Sequence, residues 1–351
     1  MEKTNIYGLN LEQLATQMVG LGQKTYRAKQ LYKWIYTKDV KSFFDMSDVS
    51  KSFQEVLDSK YSFDLPKVFT KQVSSDGTIK LLLELADGQK VETVLMHYIY
   101  GDAICVTSQV GCNMGCKFCA SGLLKKKRNL EAHEMVGQLI VLNDVLKELD
   151  PERRVTHIVV MGTGEPFDNY DNVINFIRIA NSQFGLSIGA RHITVSTSGV
   201  VPGILKYGKE GLQVNLAISL HAPNDEIRNQ IMPINQAYPV KQLIDAIVQY
   251  GIDSGGRRVT YEYIMIQGLN DSEENARELV ELIKPTFGYV NLIPYNEVME
   301  NDFKRSSNNR IHRFHDILLK AGIKSTIRKE FGSDIDAACG QLRARYEKHK
   351  L

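Results

Sequence analysis

The sequence predicts an α/β fold in which six strand and helix units form a parallel sheet, closed or partly closed into a barrel. The main observation is alternation, because beyond residue 102 short β-branched and apolar runs alternate with longer segments of helical periodicity. Such alternation is typical of parallel strands joined by helical crossovers. Ahead of it, residues 1–66 carry helical spacing alone, and residues 67–97 carry strand patterns broken by turn signals. We therefore expect a helical accessory domain and a β-hairpin extension before the barrel.

The N-terminal region is expected to form a small helical domain, because apolar residues recur at helical spacing between Leu9 and Ile35. Its basic residues include Lys24, Arg27, Lys29 and Lys33. These charges suit either a face that binds nucleic acid or an ordinary solvated helix surface, and the second interpretation is the commoner one.

Strands separated by turn signals are expected next, among them Thr78–Leu85 and Val91–Tyr98. Ser-Ser-Asp-Gly at 74–77 and Ala-Asp-Gly at 86–88 are the turns, because glycine after aspartate suits a tight reversal. Glu92 lies inside the second of these strands, where an alternating pattern predicts a carboxylate on the solvent face.

The barrel elements are placed by the change of hydrophobic period along the chain. The expected strands are Ala103–Ser108, Val155–Met161, His192–Thr197, Val214–Leu220, Arg258–Ile266 and Tyr289–Pro294. The expected helices lie near 131–149, 169–182, 239–250, 271–283 and 306–320. Ligands of such folds bind at the C-terminal ends of the strands, so polar residues there are candidates for a site.

Metal-binding chemistry is concentrated in one loop, where Cys112, Cys116 and Cys119 form a C-x3-C-x2-C cysteine triplet. Nearby glycines let the backbone fold tightly, so the three thiolates can converge on one metal centre. Structural zinc normally takes four protein ligands and iron-sulfur clusters usually take four thiolates, so three cysteines suggest a four-iron cluster with one iron open to a non-protein ligand. A zinc knuckle completed by His133 or Cys105 is the alternative.

Composition and charge restrict the function classes. The chain has 351 residues, 43% of them apolar, which is enough for one large domain and an accessory one. Its formal charge of +2 means that any nucleic-acid binding must come from local basic patches. The cysteines do not suggest a secreted disulfide framework, and no run has the length of a membrane span or the features of a signal peptide. A soluble, cytoplasmic protein is expected.

The cysteine triplet, with the aromatic Phe118 before its last cysteine, resembles the signature of radical S-adenosylmethionine (SAM) enzymes. Further motifs resemble those of one family within that superfamily, the RlmN/Cfr family of adenosine methyltransferases. These motifs are Met-Gly-Thr-Gly-Glu-Pro (161–166), Ser-Thr-Ser-Gly (196–199), Ser-Leu-His-Ala-Pro-Asn (219–224), Asn-Leu-Ile-Pro-Tyr-Asn (291–296) and Asp-Ile-Asp-Ala-Ala-Cys-Gly-Gln-Leu (334–342). They occur in order through nearly the whole chain.

The resemblance implies a partial (β/α)6 radical SAM barrel over 98–331. It also implies an RNA-engaging helical domain over 1–66, the β-hairpin extension over 67–97 and a C-terminal segment over 332–351 that carries a methyl-accepting cysteine. A [4Fe-4S] cluster is implied on the cysteine triplet, and SAM is implied at the strand ends. The implied SAM contacts are Gly164, Glu165, Ser196, Ser219, Leu220, His221 and Asn296.

The implied activity is methylation of C2 of an adenosine in the peptidyl-transferase centre of 23S rRNA and of the adenosine next to the anticodon in tRNA. Cys339 first takes a methyl group from one SAM, and a second SAM, cleaved reductively, removes a hydrogen from that methyl group. The carbon then adds to adenine C2. Glu92 accepts the C2 proton, and Cys105 attacks the sulfur, which releases the product and leaves a transient disulfide between Cys105 and Cys339.

Alternatives to this activity stay open. Methylation of C8 of the same rRNA adenosine, as in the Cfr branch, is one, although 188–199 looks more like the C2 enzymes. A non-catalytic RNA-binding module built on zinc is another. The basic run Lys125, Lys126, Lys127 and Arg128 either holds RNA phosphates or forms a solvated loop, and the C-terminal tail adds Arg343, Arg345, Lys348 and Lys350. The expected partners are rRNA, tRNA and a low-potential electron donor such as flavodoxin, and we expect a monomer.

Overall fold

The computed structural model describes residues 3–298 and 301–342. Its N-terminal region contains β1 (Thr4–Asn5), α1 (Leu11–Gly20), α2 (Tyr26–Tyr32), α3 (Lys51–Lys60) and β2 (Tyr61–Ser62), with β1 and β2 paired in parallel. Helix α1 begins after Asn10, whose side chain accepts hydrogen bonds from the backbone N–H groups of Glu12 and Gln13. Helix α2 continues into a π-helical turn at Lys33–Thr37. The helical N-terminal region thus has the secondary structure that its periodicity predicts.

Antiparallel strands follow: β3 (Lys67–Val73), β4 (Ile79–Glu84) and β5 (Lys90–Tyr98). The two connections turn at glycines with positive φ, Gly77 at +86° and Gly88 at +78°. Strand β5 pairs antiparallel with β6 (Gly101–Cys105), which is the first parallel strand of the barrel. The β-hairpin extension and the barrel therefore share one sheet.

The cysteine-rich loop follows β6. The short strands β7 (Gln109–Val110) and β8 (Arg128–Asn129) pair antiparallel and close the base of this loop. The elements after it are α4 (Ala132–Leu149), β9 (Val155–Val160), α5 (Tyr170–Asn181), β10 (Ile193–Thr197), α6 (Val201–Gly208), β11 (Asn215–Ser219), α7 (Asp225–Ile231), α8 (Val240–Asp253), β12 (Val259–Met265), α9 (Glu273–Ile283), β13 (Gly288–Pro294), α10 (Asn308–Lys320) and β14 (Ser325–Ile327).

The main sheet has ten strands, in the order β14, β13, β12, β11, β10, β9, β6, β5, β4 and β3. The seven strands from β14 to β6 are parallel to one another, and helices connect the strands of this part. In the described part of the chain the two ends of the sheet do not pair with each other. The sheet is therefore an open, partial barrel, which confirms the predicted fold class.

The sequence does not predict α6, α7 or β14. Each is short, and a run of seven or eight helical residues, or of three strand residues, is too short for its apolar period to be recognised. Helix α6 also begins with Val-Pro-Gly, which indicates a turn when it is read alone. Strand β14 extends the parallel part of the sheet by one strand beyond the six that the pattern predicts.

One hydrophobic core joins the N-terminal helices to the barrel, with Leu14 of α1 and Leu139 of α4 in the same buried cluster. A polar contact reinforces the packing, because Asn175 Nδ2 of α5 donates to the Gly8 carbonyl oxygen at 2.8 Å. The N-terminal helices are therefore fixed on the outer face of the barrel. No helix within the described ranges is both long enough and apolar enough to cross a membrane.

Candidate active site

A cavity of about 170 Å³, the site cavity, opens where the parallel strands end. Its lining includes Cys112, Cys116, Cys119, Gly164, Glu165, Ser196, Ser219, His221 and Cys339. The predicted site residues outside its lining are Glu92, Cys105, Leu220 and Asn296. Most of the predicted residues, which are distant in the sequence, thus surround one space at the edge of the sheet where ligands of such folds bind.

The cysteine triplet lies in a tightly folded loop. The Cys112 N–H donates to the Leu124 carbonyl oxygen at 2.9 Å. A Cβ atom at Gly122 would stand 2.7 Å from the Cys116 carbonyl oxygen, so this packing requires glycine. Burial raises the pKa of Cys112 to about 11, and it also raises the pKa values of Cys116 and Cys119. Buried thiols of this kind become thiolates when a bound metal supplies the compensating positive charge.

The donor set of the triplet fits a cluster better than a single ion. In residues 3–298 and 301–342, no three His, Cys, Asp or Glu side chains converge closely enough to hold one metal ion. His133, the alternative zinc ligand, lies at the start of α4, where its Nδ1 is 3.2 Å from an oxygen of Glu131. An iron-sulfur cluster binds its thiolates on separate irons, so they lie farther apart than around one ion. Three thiols around one cavity fit that arrangement, whereas His133 and Cys105, the two candidates for a fourth zinc ligand, do not line this cavity.

Glu165 is a buried carboxylate at the end of β9. Its Oε2 accepts a hydrogen bond from the Ser198 N–H at 2.7 Å, and its Oε1 accepts one from the Phe167 N–H at 3.0 Å. Burial raises the pKa of Glu165, and these two backbone donors oppose the shift. Gly164 has φ of +115°, and a Cβ there would lie 2.7 Å from Gln109 Cβ. The carboxylate therefore has a fixed orientation and can accept further hydrogen bonds from a cation in the cavity.

Ser219, the last residue of β11, and His221 line the cavity, while Leu220 between them is buried outside its lining. His221 has φ of +58°, a conformation that is uncommon outside glycine. The backbone N–H of Ile264 donates to His221 Nδ1 at 3.1 Å, so Nε2 carries the proton of the neutral ring. Burial and, to a smaller extent, the charge of Arg228 lower the pKa of His221 to about 3. His221 is thus a neutral hydrogen-bond donor beside the cavity.

Hydrogen bonds join the hairpin extension to the C-terminal segment, and an aspartate of each region accepts hydrogen bonds from the other. The Ser75 N–H donates to Asp334 Oδ2 at 3.0 Å, and the Ser74 hydroxyl donates to Asp334 Oδ1. The Gly332 N–H donates to Asp76 Oδ2 at 3.0 Å. Residues of the extension thus fix the path of the chain just before Cys339. The remainder of this segment, 343–351 with its basic residues, lies outside the described residues.

Two contacts hold Cys339 against the barrel. The Ala120 N–H, next to the cysteine triplet, donates to the Gly340 carbonyl oxygen at 2.6 Å. Asn296 Nδ2 donates to the Cys339 carbonyl oxygen at 3.3 Å. Asn296 therefore contacts the backbone of Cys339, the candidate methyl acceptor, and does not itself line the site cavity. Cys339 itself is exposed, and its exposure makes it accessible to a substrate.

Cys105 is the last residue of β6 and lies close enough to Cys339 for their charges to interact. Burial raises the pKa of Cys105 to about 12, the Cys339 charge adds to this effect, and Arg328 opposes it. Both thiols are free in the structure. The predicted disulfide between them is therefore absent, and its transient formation stays a prediction.

Glu92 is buried, so the prediction of a surface carboxylate is wrong. Its Oε1 lies 3.5 Å from Lys80 Nζ, and both side chains are more than nine-tenths buried. The reason is the sheet order, because β5 lies between β4 and β6 and has its inner face covered by the C-terminal segment. On that face, Glu92 lies two residues from Val94, which is paired with Cys105.

Comparison with known proteins assigns the chain to a family. Residues 106–280 match the family described as Radical SAM superfamily, and residues 4–62 match the ribosomal RNA large subunit methyltransferase N-terminal domain. The chain is 53% identical over 351 residues to a probable dual-specificity RNA methyltransferase RlmN of Enterococcus faecalis, covering 99% of this chain and 98% of that protein. The chain belongs to the RlmN family. The resemblance in its motifs is therefore confirmed.

Other RlmN-family relatives and one solved structure agree. The protein of the same description from Spiroplasma citri is 53% identical over 344 residues, with 98% of each chain covered. The crystal structure of a radical SAM methyltransferase from Sphaerobacter thermophilus superposes with a TM-score of 0.90 at 42% identity, covering 97% of this chain and 100% of that one. This RlmN-family chain is an enzyme, a methyltransferase with the radical SAM fold, and its family implies SAM and a [4Fe-4S] cluster.

Two charged residues of the site cavity in this RlmN-family enzyme were not predicted, Glu262 on β12 and Arg328 after β14. Arg328 Nη1 lies 3.8 Å from Glu262 Oε2, and Asn291 Nδ2 donates to the same oxygen at 2.9 Å. The charge of Cys339 is the largest influence that raises the pKa of Arg328. A glutamate inside an apolar strand was an available signal for Glu262. The sequence contains no comparable signal for Arg328, because this residue follows β14, which the sequence does not predict.

The basic run of this RlmN-family chain contains two kinds of residue. Lys126 Nζ lies 2.7 Å from an Asp168 oxygen. Arg128 donates two hydrogen bonds of 2.8 Å to the Glu134 carboxylate. The exposed members of the run are Lys125 and Lys127. Half of the run is therefore engaged in ion pairs within the protein, and the other half is available to solvent or to a ligand.

Proposed function

We propose that this enzyme methylates C2 of an adenosine in the peptidyl-transferase centre of 23S rRNA and of the adenosine next to the anticodon in tRNA. The observation that carries the proposal is the pair of cysteines outside the cysteine triplet, Cys339 at the site cavity and Cys105 within range of its charge. A simple polar methyltransferase would need neither thiol. The relatives named as dual-specificity RNA methyltransferases and the match of the N-terminal region support RNA as the substrate.

C2 of adenine lies between two ring nitrogens and is electron-poor, so direct transfer of the electrophilic methyl group of SAM is unfavourable. The cysteine triplet would hold the [4Fe-4S] cluster. Glu165, with Gly164, would hold the ammonium group of SAM, and the remaining contacts are proposed at Ser196, Ser219, Leu220, His221 and Asn296. When bound, cluster and SAM supply the one-electron chemistry that makes the methyl group on Cys339 reactive. The task of the chain is to align that methyl group with the base.

Cys339 is proposed to carry the methyl group and Cys105 to release the product. The backbone contacts of Asn296 and Ala120 hold Cys339 over the cavity while its side chain stays exposed. The Cys105 thiolate is proposed to attack the sulfur of Cys339 along the line used in thiol–disulfide exchange. The S–S bond forms as the bond from this sulfur to the transferred carbon breaks, and that carbon leaves with the electron pair and becomes the methyl group of the product when it is protonated. The positive charge of Arg328 favours the thiolate form of Cys105, because it opposes the rise in the pKa of that thiol.

Glu92 is proposed as the acceptor of the C2 proton. Its Oε1 lies 3.5 Å from Lys80 Nζ, so a cation that can stabilise a carboxylate stands beside the group that is proposed to accept the proton. Because β5 runs antiparallel to β6, the step from Val94 to Glu92 leads beyond the C-terminal end of β6, where Cys105 lies. The adenine, Glu92 and the sulfur atoms of Cys105 and Cys339 are proposed to meet in this region.

The RNA is proposed to reach the barrel by unstacking its adenosine, because a base inside folded RNA is otherwise inaccessible. Lys125 and Lys127 are proposed to hold phosphates beside the cavity, since phosphate contacts position nucleic acid without reading sequence. The N-terminal helices, with Lys24, Arg27, Lys29 and Lys33, are proposed as a second RNA-engaging surface.

The remaining parts of the proposal concern organisation and partners. We propose that the chain is divided into the RNA-engaging helical domain (1–66), the β-hairpin extension (67–97), the radical SAM barrel (98–331) and the C-terminal segment (332–351). A low-potential electron donor such as a flavodoxin is proposed to reduce the cluster, and the enzyme is proposed to act as a cytoplasmic monomer. The hydrophobic core shared by the N-terminal helices and the barrel means that the first of these regions is fixed in place.

Mapping the methyl group tests the proposal. The anaerobically reconstituted enzyme is incubated with SAM, a chemical reductant and unmodified 23S rRNA fragment or tRNA, and the digested nucleosides are separated and identified by mass spectrometry against 2-methyladenosine and 8-methyladenosine standards. We expect 2-methyladenosine from both RNAs. A product methylated at C8 would assign the enzyme to the Cfr-like activity instead. Colourless protein with stoichiometric zinc and no product would support the RNA-binding module.

A further inference from the structure

Arg228 of α7 is a buried cation whose direct partners are neutral. Its Nε donates to the Leu220 carbonyl oxygen at 3.1 Å, and its Nη2 donates to the Ser198 carbonyl oxygen at 2.6 Å and the Ser219 carbonyl oxygen at 3.3 Å. Its Nη1 donates to Asn235 Oδ1 at 2.9 Å. The guanidinium therefore joins the ends of β10 and β11, whose residues line the site cavity. A buried charge is costly unless an opposite charge lies near it.

The nearest carboxylate in the hydrogen-bond network of Arg228 belongs to Asp225, which is linked to the arginine through Asn235. Asn235 Nδ2 donates to Asp225 Oδ1 at 2.8 Å, and Asp225 is exposed, so water screens its charge. Among the ion pairs found in the described part of the chain, none involves Arg228. The protein groups around Arg228 thus leave its charge largely uncompensated.

The cysteine triplet lies beside the C-terminal end of α7. The Lys117 N–H, next to Cys116, donates to the Ile231 carbonyl oxygen at 2.9 Å, and Cys116 packs against the apolar cluster that contains Ile231. Burial lowers the pKa of Arg228 to about 10, and the Cys116 charge opposes this shift more than Asp225 does. Arg228 therefore stays protonated at neutral pH, and once a bound cluster makes Cys116 a thiolate, the charge of Cys116 acts on Arg228 more strongly than that of Asp225.

We propose that Arg228 is the fixed counter-charge of the iron-sulfur cluster and that it raises the reduction potential of the cluster. This inference rests on the cluster assigned to the cysteine triplet under the proposed function. A doubly positive cluster core on three thiolates has one net negative charge, and it gains a second when it accepts one electron from the low-potential donor. A fixed positive charge in a medium of low dielectric constant stabilises the reduced form more than the oxidised form.

The hydrogen bonds of Arg228 connect this charge to SAM binding. They hold the carbonyl groups of Ser198 and Ser219, and the Ser198 N–H in turn donates to Glu165, the proposed partner of the SAM ammonium group. Arg228 does not line the site cavity, so it is a positioning residue. A purely structural role would affect SAM binding but not the potential of the cluster, so the potential distinguishes the two roles.

The test compares Arg228→Gln, Arg228→Lys and the unaltered protein, each reconstituted anaerobically and studied without RNA. A redox titration followed by electron paramagnetic resonance measures the ratio of reduced to oxidised cluster at fixed potentials. We expect Arg228→Gln to lower this ratio at least tenfold, which is about 59 mV for a one-electron couple. Arg228→Lys keeps the charge but not the forked hydrogen bonds, so its ratio should stay within about threefold. Arg277→Gln removes an exposed charge, 65% accessible, from α9 and should leave the ratio unchanged.

A glutamine variant with the unaltered potential would overturn the proposal. A lysine variant whose potential falls as far as that of Arg228→Gln would also overturn it, because the bonds rather than the charge would then be responsible. If Arg228→Gln does not fold, the lysine variant still tests the proposal. A tenfold fall in its ratio of reduced to oxidised cluster contradicts the proposal, and an unchanged ratio supports it. Iron and sulfide analysis of the unaltered protein separates these outcomes from a failure of the cluster assignment itself.

Discussion

Replacing Lys125 and Lys127 together by alanine should weaken RNA binding and leave SAM binding unchanged. Both lysines are exposed on the loop that carries the cysteine triplet. Lys127 Nζ donates to the neutral amide of Gln89 at 3.0 Å. The ion pairs of this run, within the described residues, are made by Lys126 and Arg128. The two exposed lysines are therefore the members of the run that can bind phosphates without breaking a bond to a carboxylate.

The expected size of the effect follows from counterion release. Each phosphate contact on single-stranded RNA contributes about 0.7 to the slope of log Kd against log salt concentration, so loss of two contacts should lower the slope by about 1.4. At a salt concentration of about 0.15 M, the same relation makes each contact worth roughly fourfold in Kd, or about 0.8 kcal/mol, and the pair roughly 14-fold.

The assay is fluorescence anisotropy of labelled tRNA with the anaerobic holoenzyme at several salt concentrations. Lys126→Ala is the matched control, because the charge of Lys126 is already engaged by Asp168 at 2.7 Å. The slope of log Kd for this variant should change by less than half of the amount expected for one phosphate contact. A double variant with the slope of the unaltered enzyme would show that the run is only a solvated loop. An effect of Lys126→Ala as large as that of one exposed lysine would show that the ion pair opens when RNA binds.

Further variants test the site. Alanine at any member of the cysteine triplet should abolish cluster loading, measured as iron and sulfide per chain, because all three thiolates hold the centre; full loading in one such variant would refute the assignment. The Cys105→Ala variant should still methylate Cys339 and attach it to RNA, but it should not release the product. Ribonuclease digestion should therefore leave a single modified nucleotide on the Cys339 peptide. Normal turnover of this variant would exclude the two-cysteine scheme. Glu165→Gln removes a charge at constant size, so the Kd for SAM measured by calorimetry should rise about 10- to 150-fold, as expected for a charged hydrogen bond of about 1.5–3 kcal/mol; an unchanged Kd would place the ammonium group elsewhere. Asp334→Asn should loosen the C-terminal segment and lower kcat while the Kd for SAM stays constant, whereas a matching loss in both would contradict a role limited to placing Cys339.

The chemistry of the site could be predicted where it depends on neighbouring residues. The cysteine triplet is recognisable because its members are close in sequence and their thiolates must bind one centre. Glu165 and His221 could be placed at one edge of the sheet, because the parallel topology brings all strand ends together there. Even so, the tautomer of His221 follows only from its hydrogen bond with the Ile264 N–H, which no pattern in the sequence reveals.

The burial of Glu92 shows where sequence patterns fail. An alternating strand predicts a polar side chain facing water, yet the face of β5 that carries Glu92 is covered by the C-terminal segment. The contact between Lys80 Nζ and the Asp336 carbonyl oxygen, 3.2 Å long, joins residues 256 positions apart in the sequence. Because periodicity describes only one element at a time, it does not show which distant segment packs on that element.

The sequence by itself determined the family, the α/β barrel and the cysteine triplet, because each of these is encoded in local spacing or in motifs that keep their order along the chain. The tertiary structure alone decided which charges are buried and what they touch. Arg228 binds the Ser198 carbonyl oxygen at the strand ends within range of the charge of Cys116. Arg328 lies near Glu262 and within range of the charges of Cys105 and Cys339, although neither arginine belongs to a recognisable motif. The physical reason is that burial and charge pairing depend on how distant segments meet in space, whereas propensity and spacing act within a few turns of the chain.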